Sequence, residues 1–88
     1  MSENFVSTPE WSQAIKGTLR AEMVRRSVTY ADLSNLLDAR FGTQQSESNL
    51  KAKINKGVMG AQLFVQILAA LGCESLDITQ VVNLTEKS

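Results

Sequence analysis

Ser46-Glu47-Ser48-Asn49-Leu50-Lys51-Ala52-Lys53-Ile54-Asn55-Lys56-Gly57 is the stretch that decides what kind of domain this chain forms. Leu50 and Ile54 lie four residues apart, one turn of helix, so they form a single apolar edge. The opposite side collects Ser48, Asn49, Ala52, Asn55 and Lys56, with Gln45 added if the helix reaches back that far, and Lys51 and Lys53 stand on the flanks. Ser46 is the first choice of cap with Ser48 a later option, Glu47 sits in the first turn where the helix dipole favours an acid, and Gly57 ends the helix. Amide and lysine side chains that reach base edges and phosphates, beside an alanine small enough for close approach, suit a helix that reads the major groove. The same composition also suits an ordinary solvated face, so the flanking chain has to decide.

Upstream, Thr43 to Gln45 is polar and reads as a loop. Before it, Thr29-Tyr30-Ala31-Asp32 reads as a helix start, with Thr29 capping and Asp32 three residues on, as in a capping box. Leu33, Leu36, Leu37 and Phe41 supply its apolar side and Gly42 ends it. Further back, Thr8-Pro9-Glu10 opens a helix expected to run to about Arg26. Its stripe is Trp11, Ile15, Leu19 and Met23 with Ala14 alongside; Trp11 is expected in the core, and Lys16, Arg20 and Glu22 in solvent. Gly17 inside this helix costs about 1 kcal/mol against alanine.

Downstream, Val58-Met59-Gly60 is a tight connection whose apolar residues are expected to tuck under the core. In Ala61 to Leu71, the residues Leu63, Phe64, Ile67, Leu68 and Leu71 cover so broad a side that a nearly central helix is expected, ended by Gly72. Ser75-Leu76-Asp77-Ile78 could start one more helical turn, and Val81, Val82 and Leu84 could form an extended edge or a dimer contact. Residues 1–7 show no periodicity and are expected to be a disordered segment. The expected organisation is a domain over residues 8–78, with 79–88 a tail or dimer contact.

The whole chain has 88 residues, 43% of them apolar, enough for one small core without internal staples. Its one cysteine, Cys73, allows no internal disulfide. It has no histidine, which removes Ser-His-Asp and Cys-His catalysis and the usual zinc-finger ligand sets. With scattered carboxylates and no phosphate-binding loop, no enzyme activity, metal or cofactor is expected. No apolar run is long enough to span a bilayer, and MSENFVSTPE has none of the features of a signal peptide, so no membrane contact and a cytoplasmic location are expected. Net charge is zero, but from Lys16 to Lys56 eight basic residues face four acidic ones, an excess of +4. The segments before and after each carry −2, so the positive charge is gathered around the opening stretch.

These elements make an all-α, compact bundle of four to five short helices the expected fold. Their order resembles the lambda-repressor-like (Cro type) helix-turn-helix domains over roughly residues 11–78. The resemblance rests on the helix ending near Arg26, Thr29-Tyr30-Ala31-Asp32-Leu33-Ser34-Asn35-Leu36, the opening stretch, and the apolar helix ending Ala69-Ala70-Leu71-Gly72-Cys73 with Leu76 after it. Within that family the chain is most similar to a small group of uncharacterised bacterial domains in which Lys-Ile-x-x-Gly, here Lys53-Ile54-Asn55-Lys56-Gly57, precedes an apolar fourth helix. The resemblance implies a five-helix fold whose second and third helices bind DNA, the third in the major groove. Tyr30 then matches the first residue of the second helix, a phosphate-contacting place in the family, and Ser46, Ser48, Asn49, Lys51 and Asn55 match the start and exposed side of the recognition helix. The span from Leu33 to Gly57 is several residues longer than the family unit, so a looser turn and a different presentation of the third helix are expected.

Two functions follow as expectations. The first is a small bacterial or phage regulator binding double-stranded DNA. Gln45, Ser48, Asn49 and Asn55 would read bases, and Arg25, Arg26, Tyr30, Arg40, Ser46, Lys51, Lys53 and Lys56 would hold phosphates. Ile78, Val81, Val82 and Leu84 are the candidates for a homodimer or partner contact. The second is a protein-interaction module on the same fold that has left DNA binding, using Val58, Met59, Val81 and Val82 toward a partner protein.

Overall fold

The computed structural model describes residues 8–85. Among them the chain forms five helices and no strand: α1 (Pro9–Arg25), α2 (Tyr30–Phe41), α3 (Glu47–Lys56), α4 (Ala61–Ala70) and α5 (Ile78–Thr85). The expected disorder of residues 1–7 lies outside the described residues, as do the last three residues of the expected tail. The fold is all-α, as the pattern of caps and periodic leucines requires. α1 packs between α3 and α5, and α2 packs between α3 and α4. Leu19, Leu33, Leu37, Leu50, Ile54 and Ile67 are fully buried where these helices meet.

Local chemistry sets the helix ends. Thr29 and Asp32 form a complete capping box: the Asp32 amide donates to Thr29 Oγ1 at 3.1 Å and the Thr29 amide donates to Asp32 at 3.0 Å. Hydrogen bonding to the carboxyl from Thr29, its backbone amide first and its side chain second, holds Asp32 below its ordinary value of 3.8. Because the folded form binds its proton less readily than the unfolded one, this contribution to stability is complete above the ordinary value and is lost as pH falls through the lowered one. An NMR titration should find the Asp32 midpoint below 3.8. Thr29→Ala, which removes the side-chain bond and keeps the backbone one, should cost about 1 kcal/mol by thermal unfolding and raise the Asp32 midpoint only part of the way to the ordinary value. Thr8 occupies the cap position of α1 but makes no side-chain capping bond; Pro9 in the first turn does the ordering there.

Several expectations are corrected by packing. Trp11 is 48% exposed and is not a core anchor, while Ala14 is completely buried. The reason is that α1 has α5 and α3 as neighbours and buries a wide arc that takes in Ala14, Thr18, Leu19 and Met23. That arc draws Glu22 inside, where it was expected in solvent; Arg25 Nη2 and Arg26 Nε each reach its carboxylate at 3.0 Å. Phe41 is exposed, its ring beneath the Arg40 guanidinium at 5.0 Å. α4 is not central: it packs on α2, and Val65 on its outer side is 61% exposed. Residues 78–85 are a helix and not an extended edge, started by Asp77 Oδ1 accepting from the Thr79 amide at 3.0 Å. Val81 is buried against α1, so it is removed from the candidate partner contacts, whereas Ile78 and Leu84 stay exposed.

Candidate nucleic-acid interface

α3 is held by a minimal buried edge. Leu50 and Ile54 are fully buried, Lys53 is half-buried, and Glu47, Ser48, Asn49, Lys51, Ala52, Asn55 and Lys56 are exposed. Ser46 caps the helix by accepting the Asn49 amide at 3.1 Å, which leaves the hydroxyl hydrogen of Ser46 and the Asn49 carboxamide facing outward. Gly57 ends the helix with φ +69° and lies directly on the Ser12 carbonyl of α1. Arg20, farther along α1, meets Asn55, and Val24 and Val28 share a crevice with Glu47. The two helices therefore run antiparallel.

The link from α2 to α3 is fixed by hydrogen bonds to α2 and α4. Residues 42–46 run back along α2: the Thr43 amide donates to Leu37 O at 3.3 Å, and Ser34 Oγ donates to Gln45 O at 2.6 Å. Thr43 Oγ1 donates to Gln66 Oε1 on α4 at 2.7 Å, pinning the start of the loop. As a result α3 begins beside the first turn of α2, and Glu47 shares its crevice with Thr29 and Tyr30. Gln45 is in this loop and not in the helix, and its Oε1 is buried without a partner, so it is not placed among the outward-facing side chains of α3. The Tyr30 hydroxyl is also buried and unpartnered, with the ring packed against the core, so a phosphate contact from it does not fit this packing.

The basic residues fall into separate groups. Lys51 and Lys56 project from α3, with Lys53 half-buried on its flank, and Arg20 joins them from α1, Nη1 donating to Asn55 Oδ1 at 3.4 Å. Arg25 and Arg26 are clamped to Glu22, and Arg25 borders the groove between α1 and α5. Arg40 donates to Ala69 O at 2.7 Å and so closes the end of α4. The fold thus gathers Ser46, Ser48, Asn49, Lys51, Asn55 and Lys56 on one helix and adds Arg20, while Arg25, Arg26 and Arg40 are engaged elsewhere. Arg20 was missed because it sits 35 residues from Asn55 and only the α1–α3 register joins them. Its four-residue spacing from Lys16 on one side of α1 was the available signal.

The apolar candidates for a partner are divided too. Val58 is exposed and Val82 half-buried, but Met59 packs against the core and Val81 is buried. Among the described residues no cluster of metal-ligating side chains forms, and no helix is long and apolar enough to cross a membrane.

A family model described as "Domain of unknown function (DUF6471)" matches residues 11–76, a span from the first turn of α1 to just before α5. No curated protein and no solved structure matches the chain.

Proposed function

The chain belongs to the DUF6471 family, and we propose that it is a small helix-turn-helix DNA-binding regulator of transcription, acting in the bacterial cytoplasm with α3 in the major groove. The observation that carries this is the exposure of α3: Leu50 and Ile54 are its only fully buried side chains, and serine, asparagine and lysine side chains cover most of the rest of its surface. Ser48, Asn49 and Asn55 are the base readers. Ser46, Lys51 and Lys56, with Lys53 and Arg20 beside them, hold phosphates. Lysines contacting phosphate release counterions, so affinity falls as salt rises. Fluorescence anisotropy with mixed duplex DNA at low salt tests this: binding that weakens steeply with added salt is expected. No binding up to about 10⁻⁴ M, the range of non-specific contacts, would end the proposal.

A protein-interaction module on the same fold is the second reading. The zero net charge and the engagement of Arg25, Arg26 and Arg40 within the domain favour it. It requires that the chain bind no DNA in the same titration.

A further inference from the structure

Between α1 and α5 lies a groove of about 400 Å³ that the DNA-binding reading leaves unused. Its volume falls among those of small-molecule sites, about 300–1,000 Å³. α5 runs antiparallel to α1, since Leu84 meets Gly17 while Asp77 shares the groove with Glu22 and Arg25. One end is apolar. There α1 offers only Gly17 and Ala21, one turn apart, too small to fill the space, and Val81 and Leu84 form the opposite wall. The other end is charged. Glu22 is only 9% exposed, and its two oxygens accept from Arg25 Nη2 and Arg26 Nε, each at 3.0 Å. One guanidinium is enough to neutralise it, and Arg26 is the more enclosed, its side chain 33% exposed against 66% for Arg25. Arg25 is therefore the surplus positive charge, with N–H groups to spare. Asp77 lines the same end. Its Oδ1 accepts from the Thr79 and Gln80 amides at the start of α5, while its Oδ2 has no partner among the described residues. Arg25 and Asp77 form no ion pair with each other; both ion pairs at this end belong to Glu22.

We propose that this groove binds a free apolar α-amino acid. Its carboxylate lies on Arg25, its ammonium on Asp77 Oδ2, and its side chain against Gly17, Ala21, Val81 and Leu84. A zwitterion fits because it supplies both opposite charges beside an apolar group. A plain anion would be repelled by Asp77, and a plain cation by Arg25. The site stands whether or not the chain binds DNA, because none of these residues belongs to the α3 surface.

The test is a two-dimensional NMR titration of the chain with L-leucine and with L-phenylalanine. Saturable shifts are expected at the amides lining the groove on α1 and α5. N-acetyl-L-leucine lacks the ammonium and L-leucinamide lacks the carboxylate, and each should bind about tenfold or more weakly, the scale of one lost hydrogen bond to a charged group. Arg25→Gln and Asp77→Asn should each weaken L-leucine by about the same factor. Asparagine caps a helix as well as aspartate does, so Asp77→Asn keeps the start of α5. Ala21→Met, a change at an exposed position in the groove, should abolish binding by filling it. No saturable shift with either amino acid up to roughly 10 mM, well above the ~1 mM of a weak site, overturns the proposal. Equal binding of the acetylated or amidated analogue overturns it with no variant needed. So does unchanged affinity in Arg25→Gln or Asp77→Asn whose circular dichroism spectrum matches wild type.

Discussion

Gly57→Ala is expected to destabilise the domain by about 3 kcal/mol or more, and to lower its melting temperature by roughly 12–24 °C at 4–8 °C per kcal/mol. Two effects add. The residue has φ +69°, a left-handed conformation that costs an alanine roughly 1–2 kcal/mol. An added Cβ would also overlap the Ser12 carbonyl, its carbon 2.7 Å away. Those are backbone atoms inside α1, so no side chain can swing aside, and α1 and α3 have to part. Separating them loosens Ile54 and Leu19, both fully buried. Gly42 is the internal control: its φ of +67° is nearly the same, but nothing lies within 4 Å of the added Cβ. Gly42→Ala should therefore cost only about 1–2 kcal/mol. Thermal unfolding of both variants separates backbone strain from the helix contact, and equal losses would show that the close approach of α1 and α3 carries no weight.

Replacing Lys51 and Lys56 together by glutamine is expected to weaken DNA binding about 60-fold at ~0.1 M salt. Each lysine–phosphate contact contributes about 0.9 to the slope of log affinity against log salt, so two contribute about 1.8, which is that factor at this salt concentration. Both side chains are exposed on α3 and neither takes part in an ion pair among the described residues, so the loss should come with folding stability unchanged to within about 0.5 kcal/mol. Arg25→Gln is the counterpart. Arg25 is paired with Glu22 and borders the α5 groove, so its loss should leave the salt slope nearly unchanged. If Arg25→Gln lowers the slope as much as one lysine does, the contact surface extends over α5 and α3 is not its centre.

These two expectations depend on different kinds of information. Helix ends were legible from short-range chemistry. Thr29 with Asp32, Ser46, Gly42 and Gly57 act on residues within a turn of themselves, and they stand in the structure where their types place them. The buried edge of α3 was legible for the same reason, since Leu50 and Ile54 are neighbours on one turn whatever surrounds them. Periodicity failed on α1 because a helix with neighbours on two sides buries more than one stripe. There Ala14, Thr18 and Glu22 went inside, and Trp11, on the first turn, stayed largely outside.

For the candidate interface, the chain by itself determined that a short polar and basic helix would be held by two residues and capped at both ends. Only the tertiary structure decided which arginines accompany it. Arg25 and Arg26 are within one turn of Glu22, and once α5 covers that carboxylate on one side the two guanidiniums compensate its burial. Arg20 faces α3 because Gly57 fits against Ser12 and sets the antiparallel register of the two helices. Where the turn before α3 would lead was likewise decided by long-range bonds, from Ser34 to Gln45 and from Thr43 to Gln66. A local pattern specifies a helix and its inner edge, because those depend on residues three and four apart. Which surface a second helix adds to it depends on contacts between residues tens of positions apart, and these exist only when the chain is folded.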